Sequence, residues 1–372
     1  MAATDSAHDS AVWLDRPDAL TRTLAAWSGQ PLVGLDTEFI RERTYWPKLA
    51  LVQLSVPGEV VLVDALAPGM TEALVPLLTD PTVTKLMHSA GEDLQAFRTG
   101  IGVLPRPLYD TQIAAGLAGI GASLSYQKLV ETVTGVLLPK GETRSDWLRR
   151  PLSEAQRAYA ADDVRYLHAV HTHLDARLEA LGRRDWHAAD CTRAVDQVER
   201  DAVDPWPHLA LRSAQFLDRE GQARLRRLLL WREAEARRAD KPRSWILDNE
   251  LAVALARKPP ADRHAFNILL DGHPKAPRRL RGALWDELGR PLEPDELDIP
   301  LARPQDGDYK VRLRQLQEAV AEATRRHELP EGVLASRRSL ETLMLGEGWP
   351  DSLAGWRREI LQPLLDPLLA GD

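Results

Sequence analysis

Between residues 31 and 90 the chain sets short apolar runs between Pro and Gly: PLVGLDTEF, LALVQLSV, VVLVDAL, then KLMHS. Runs of Val, Leu and Ile of this length, bounded by breakers, predict β-strands. MTEALVPLL, between VVLVDAL and KLMHS, predicts a helix. The apolar period then changes. SYQKLVETVTG has helical spacing and a Gly stop. Pro151, followed by Ser153 and Gln156 at capping-box spacing, opens a helical segment that runs to about Leu181. The pattern describes a sheet of hairpin-like strands followed by helices, a mixed α/β domain ending near residue 200.

A linker-like stretch, DAVDPWPH, comes next. Residues 211–288 then predict helices only, with Leu225, Leu228, Leu229 and Ala236 on an apolar face. A second Pro- and Asp-rich linker, RPLEPDELDIPLARPQDGD, leads into an all-helical segment to the C-terminus. The two helical segments are alike in size and class but share no clean repeat.

Composition narrows the class. A length of 372 residues allows two or three domains, and 44% hydrophobic with 28% charged residues is the balance of a soluble globular chain. No apolar run reaches membrane-spanning length, and the N-terminus lacks a basic flank and an apolar core, which predicts neither a membrane protein nor an exported one. Cys191 is the single cysteine, so disulfide frameworks and cysteine zinc sites are excluded and a reducing cytoplasm is expected. Net charge is −7, which argues against a polyanionic ligand until its distribution is read. Residues 211–280 hold 16 Lys and Arg against 9 Asp and Glu, leaving −14 for the rest. A basic module on an acidic chain suits a nucleic-acid grip set apart from a carboxylate-rich centre, and a solvated Arg-rich helix gives the same count.

Three carboxylate patterns stand out. Asp36 and Glu38 end the LVGL run, and residues i and i+2 of a strand share a face. Two adjacent anions there are costly unless compensated, though a strand end opening into solvent gives the same pattern. Tyr159 and Asp163, four apart in a helix, share a face that continues through Leu167 and Val170. A plain Tyr–Asp hydrogen bond in a core explains that pair equally well. Asp93, in HSAGEDLQAF, lies where a strand passes into a helix beginning near Gly91, a place where the helix dipole alone favours an acid. Asp110 reads as an N-cap. Hard oxygen ligands converging from a strand and two helices suit Mg²⁺ or Mn²⁺, and a pair of such ions about 3.5–4 Å apart can clamp an in-line phosphoryl displacement.

In combination these residues resemble a known family. DTEF at 36–39, Asp93 within HSAGEDL, and Tyr159-x-x-x-Asp163 are similar to the three exonuclease motifs of the DEDD superfamily. The tyrosine four residues before the last aspartate, with Ala158 where the other branch has His, resembles the DEDDy branch. EFIRERTYWPKLALVQLS, PLYDTQIAAGL and TRSDWLRRPLSEAQRAYAADDVRYL resemble the ribonuclease D family over roughly residues 30–180. LLLWREAEARRADKPRSWILDNELAVALA resembles an HRDC domain, and 303–372 a weaker second copy. Asp162 departs from the small residue usual beside the motif aspartate.

The resemblance implies an α/β RNase H-like exonuclease domain over 1–200, followed by all-α HRDC-type domains at 211–290 and 303–372. It implies 3′→5′ hydrolysis of RNA ends to nucleoside 5′-monophosphates, typically on tRNA precursors with 3′ extensions. By position, Asp36, Glu38, Asp93 and Asp163 would hold two divalent cations, Mg or Mn, with Asp36 bridging. Tyr159 would orient the attacking water, since an ordinary phenol pKa near ~10 disfavours it as a base. Lys140 and Arg144, in PKGETRSDW, would reach the substrate backbone, unless they only pair with Glu142 or Asp146. A DNA exonuclease would share the catalytic core, and the HRDC-like tail does not decide between RNA and DNA because helicases acting on DNA carry it too; the phrase-level match of the catalytic domain favours RNA. A degenerate, RNA-binding scaffold is opposed by the intact acidic positions and Tyr159.

Overall fold

The structure is a computed structural model that describes residues 11–139, 141–142, 145–302, 307–346 and 348–370. The chain groups into two compact units. The first takes in the chain to Ile40, Pro47–Asp201 and the chain from Arg312 on; the second is Arg41–Trp46 with Ala202–Val311.

The first unit is built on six strands: β1 (Val12–Leu14), β2 (Leu32–Ile40), β3 (Lys48–Val56), β4 (Glu59–Asp64), β5 (Thr84–Met87) and β6 (Leu108–Asp110). They lie in the order β1-β4-β3-β2-β5-β6. The meander β2-β3-β4 is antiparallel, while β1, β5 and β6 add in parallel. β2, the strand bearing the DTEF motif, is therefore central. The expected strands at 31–90 are all present, and their near-continuous apolar runs follow from burial on both faces. β1 and β6 were not expected, since three residues are too few to show a period.

The first unit's helices are α1 (Pro17–Ala26), α2 (Met70–Thr79), α3 (Gly91–Gly100), α4 (Thr111–Leu117), α5 (Tyr126–Thr134), α6 (Glu154–Arg165), α7 (Leu167–Ala180) and α8 (Arg184–Arg200). One core cluster packs Leu20 of α1, Leu74 and Leu78 of α2, Phe97 of α3 and Val195 of α8 onto Leu35, Val52 and Val63 of the sheet. A second sets Ala160 of α6, with Trp147 and Leu152, against Ala50, Leu51 and Leu62. Each leucine so buried contributes about 1.5–3 kcal/mol over its exposed state.

Local signals held where caps carried them. Ser153 and Gln156 form the capping box of α6, and Gly135, at φ 75°, ends α5. The helical segment expected to run unbroken to Leu181 is instead α6 and α7, which part at Tyr166. No Gly or Pro marks that break.

The second unit holds α9 (Arg219–Ala239), α10 (Arg243–Ile246), α11 (Asn249–Arg257), α12 (Arg263–Asp271), α13 (Arg281–Gly289) and α14 (Pro294–Leu297). Leu225, Leu228, Leu229 and Ala236 of α9 are buried as expected. The described part of the stretch expected as a second linker, as far as Ala302, is packed. Glu296 pairs with the buried Arg227, the Pro300 carbonyl meets His208 at 3.0 Å, and the Ala302 amide donates to Gln222 at 2.7 Å.

The last helices are α15 (Gly307–Arg326), α16 (Arg337–Met344) and α17 (Trp356–Leu369). Where a separate C-terminal module was expected, the chain from Arg312 groups with the first unit. Trp356 stacks on Trp186 at 4.3 Å, and buried Asp190 accepts from Trp356 Nε1 at 3.1 Å and from Arg357 at 2.6 Å.

Candidate active site

β2 places Asp36 and Glu38 on one face, opposite Gln53 and Leu51 of β3. A register shift follows directly, between Glu38 and Phe39, and a bulge of this kind re-aims side chains where a strand pairing ends. Asp163 lies near the end of α6, one turn beyond Tyr159. Asp36, Glu38 and Asp163 each offer a carboxylate oxygen, all within 4.8 Å of one another.

Asp93 stands outside that trio. It is buried in the first turn of α3 and accepts a hydrogen bond from Thr37 Oγ1 at 2.5 Å. Thr37, between the two acids of β2, thus ties the strand to the second motif. Its motif position was visible in the sequence, but a buried threonine carries no signal of its partner. A second tie comes from Asp110, which caps α4 as expected and also accepts the Ser89 and Ala90 amides at 3.0 and 2.8 Å. It fixes the turn from β5 into α3.

The electrostatics are those of uncompensated anions. Among the described residues, no Lys, Arg or His pairs with Asp36, Glu38, Asp93 or Asp163. Burial, then the charges of Asp93, Asp163 and Glu38, push the Asp36 carboxyl well above its ordinary range. Burial and Asp163 push Glu38 up to about 9. Burial raises Asp93 to about 7, against the Thr37 hydroxyl, which favours the ionised form. Asp163 is raised to about 7 by burial and by neighbouring Asp162, against the hydrogen bond from Tyr159. Asp162 therefore bears on the site even though it pairs with Arg165 at 3.1 Å. Burial and Asp163 raise the Tyr159 phenol as well.

The Tyr159 ring is held from two sides. The backbone of Gly141 lies so close that a Cβ there would meet Tyr159 Cδ2 at 2.2 Å, and the Trp147 ring lies 6.2 Å away. The requirement for glycine at 141 was not read from the sequence, because the two residues are distant along the chain. Lys140 and Arg144 fall outside the described residues.

The donor set fits hard divalent cations: carboxylate oxygens only, crowded together, with their charge unbalanced by the described residues. Gln53, across from Asp36, adds a fully buried amide with no protein partner on either end. Buried polar groups of this kind call for a partner. A mixed sheet, three acidic motifs and a phenol beside the last of them define a metal-dependent nuclease of the exonuclease class.

Comparison with known proteins agrees. Residues 11–179 match the 3′-5′ exonuclease family and residues 221–276 the HRDC domain. Over 357 residues the chain is 54% identical to ribonuclease D of Xanthomonas oryzae pv. oryzae, covering 96% of this chain and 98% of that protein. It is 33% identical over 369 residues to ribonuclease D of Escherichia coli K12, covering 95% and 96%. The crystal structure of Escherichia coli RNase D, described as an exoribonuclease involved in structured RNA processing, matches with a TM-score of 0.82 at 29% identity, over 97% of this chain and 99% of that one. The chain belongs to the ribonuclease D family and is a 3′-5′ exoribonuclease.

Proposed function

We propose that the chain trims RNA 3′ ends to nucleoside 5′-monophosphates with two divalent cations, Mg or Mn, and that tRNA precursors with 3′ extensions are among its substrates. The observation that carries this reading is the convergence of Asp36, Glu38 and Asp163 within 4.8 Å with no cationic partner among the described residues. Asp36, Glu38, Asp93 and Asp163 would hold the ions. Such ions, when bound, neutralise the phosphate and acidify the attacking water.

The chain's own groups would do the rest. Tyr159 stays protonated at neutral pH, because burial and Asp163 both raise its pKa, so it orients the water and does not act as a base. Tyr159 shares a face of α6 with Asp163, and Gly141 and Trp147 limit the freedom of its ring. Thr37 aims Asp93. Lys140 and Arg144 would contact the substrate backbone. The proposed modules are 1–200 for catalysis, 211–290 as the HRDC domain and 303–372 as a second HRDC-type copy, in a reducing cytoplasm that suits one buried thiol. No described helix is long and apolar enough to cross a membrane.

A titration of cleavage with Mg²⁺ and Mn²⁺ on labelled RNA and DNA oligonucleotides of matched sequence tests the reading. It expects metal-dependent release of mononucleotides from RNA 3′ ends. Equal or faster cleavage of DNA would favour a DNA exonuclease, and metal-independent cleavage would reject the proposed site.

A further inference from the structure

We infer that Asp240 and Tyr45 are positioning residues for the hydrolysis: their bonds hold the segment that joins β2 to β3 and thereby set the end of the strand bearing Asp36 and Glu38. The inference rests on the proposal that those carboxylates act in catalysis. Arg41–Trp46 begins three residues after Glu38, between β2 and β3, yet it packs as part of the second unit.

The grip is specific. Asp240, which caps the C-terminus of α9 with φ 48°, accepts the backbone amides of both Tyr45 and Trp46 through Oδ1, at 2.9 and 3.0 Å. The Tyr45 hydroxyl, 188 residues from its acceptor, donates to Glu233 of α9. Glu233 is itself held by Arg237 at 2.9 Å and by Arg243. Arg243 also donates to the Tyr45 hydroxyl at 3.0 Å, and Arg41 Nε to the Tyr45 carbonyl at 2.8 Å. Thr44 Oγ1 satisfies the Trp46 carbonyl at 2.7 Å. The Tyr45 ring is buried, edge-on to Trp46 at 4.6 Å, with the Arg243 guanidinium 5.0 Å from its centroid.

A connection that only reversed the chain would satisfy these groups with water. Here both amides, both carbonyls and the hydroxyl of the Tyr45–Trp46 pair have protein partners, most of them on or beside α9. Between Tyr45 and Glu38 lie residues 39–44 and the register shift, while on the other side Pro47 alone separates Trp46 from Lys48 of β3, the partner of Ile40 at the end of β2. That path is short enough to pass a displacement to the carboxylates, whose placement must hold to within about 0.5 Å for efficient chemistry.

Asp240→Gly in the full chain is the test. Glycine accepts φ 48° without strain and removes only the acceptor. Asp240→Asn keeps an Oδ1 acceptor and tolerates the same backbone. On a short single-stranded RNA at saturating Mg²⁺, Asp240→Gly should lower kcat by about 10–100-fold with KM within about twofold. The Mg²⁺ midpoint for activity should rise, the thermal unfolding of the chain should stay cooperative, and Asp240→Asn should restore kcat. Tyr45→Phe, which removes the bond to Glu233 and keeps the ring, should lower kcat in the same direction by less. Wild-type kcat in Asp240→Gly, or an equal loss in Asp240→Asn, would overturn the inference. If Asp240→Gly does not fold, unchanged kcat in Tyr45→Phe overturns it. Asp36→Asn, assayed alongside, separates the two levels. An inactive Asp36→Asn beside a wild-type Asp240→Gly rejects the grip alone, whereas an active Asp36→Asn removes the catalytic reading on which the grip depends.

Discussion

Two groups of carboxylates in this molecule meet the same burden of burial in opposite ways. In the second unit, Glu233 is nearly enclosed, yet Arg243, the Tyr45 hydroxyl and Arg237 overcome its desolvation and hold it down at about 2. In the first unit, Glu38 is pushed up to about 9, and Asp36 also rises, because burial is reinforced by other acids and relieved by no base. The difference is not between units. Asp190, as deeply buried in the first unit, has Arg193 and Arg357 at 2.7 and 2.6 Å. Glu233 and Asp190 are given cations by the chain, and the buried cap Asp110 is given backbone amides. Asp36, Glu38 and Asp163 have no cation among the described residues, and on the proposed reading theirs comes from outside.

The largest effect expected from this contrast is on turnover. Asp36→Ala or Asp163→Asn should lower cleavage of a labelled RNA by at least about 10³-fold while the metal-free protein melts at the same temperature or higher, because a repulsion has been removed. A melting temperature that falls with the activity would make these residues structural. Asp190→Ala should do the reverse. It strands Arg357 and should destabilise the fold by about 3–5 kcal/mol in denaturant unfolding, with kcat of the folded enzyme unchanged.

Tyr159→Phe comes next, with kcat lowered by about 10²-fold and KM little changed, since the hydroxyl acts on the water and not on RNA binding. Turnover at the wild-type rate would remove the phenol from the mechanism.

The smallest effects are those of pH on the metal-free protein, where the two groups should differ in sign. Asp93 and Asp163, at about 7 when folded, bind protons in the folded state that the unfolded chain has released. Stability should therefore fall as pH rises from about 4 to about 7, and Glu38 should extend the fall toward 9. Glu233, and Glu296 beside Arg227, are depressed to about 2, so their contribution is present above about 4.5 and lost as pH falls toward 2. Melting curves from pH 3 to 9, with and without Mg²⁺, check both. The metal should flatten only the upper slope, and Glu233→Gln should flatten only the lower one.

How legible all this was in the sequence depends on the range of the interaction that decides it. β2 to β5 were readable because buried strands are continuous Val and Leu runs, and α5 and α6 because Gly135 and the Ser153–Gln156 box are local. The break at Tyr166 has no local cause and was missed. Asp36 with Glu38, and Tyr159 with Asp163, were paired by strand and helix periodicity alone. That the two pairs meet, that Thr37 holds Asp93, and that Gly141 lies against Tyr159 depend on contacts across the fold. The tail from Arg312 reads as a separate helical module because its helices are amphipathic by themselves. What they pack on is decided by Asp190 and Trp186, more than a hundred residues away.

On the proposed reading, divalent cations balance the Asp36, Glu38 and Asp163 carboxylates. Calorimetric titration of Mn²⁺ into the metal-free full-length protein near pH 6.5, in buffers of different ionisation enthalpy, tests it most directly. Binding should be saturable and accompanied by proton release, as carboxyls with raised pKa values give up their protons to the metal. In Asp36→Asn and Asp163→Asn both the binding and the proton release should fall sharply. Binding and proton release unchanged in those two variants would contradict it.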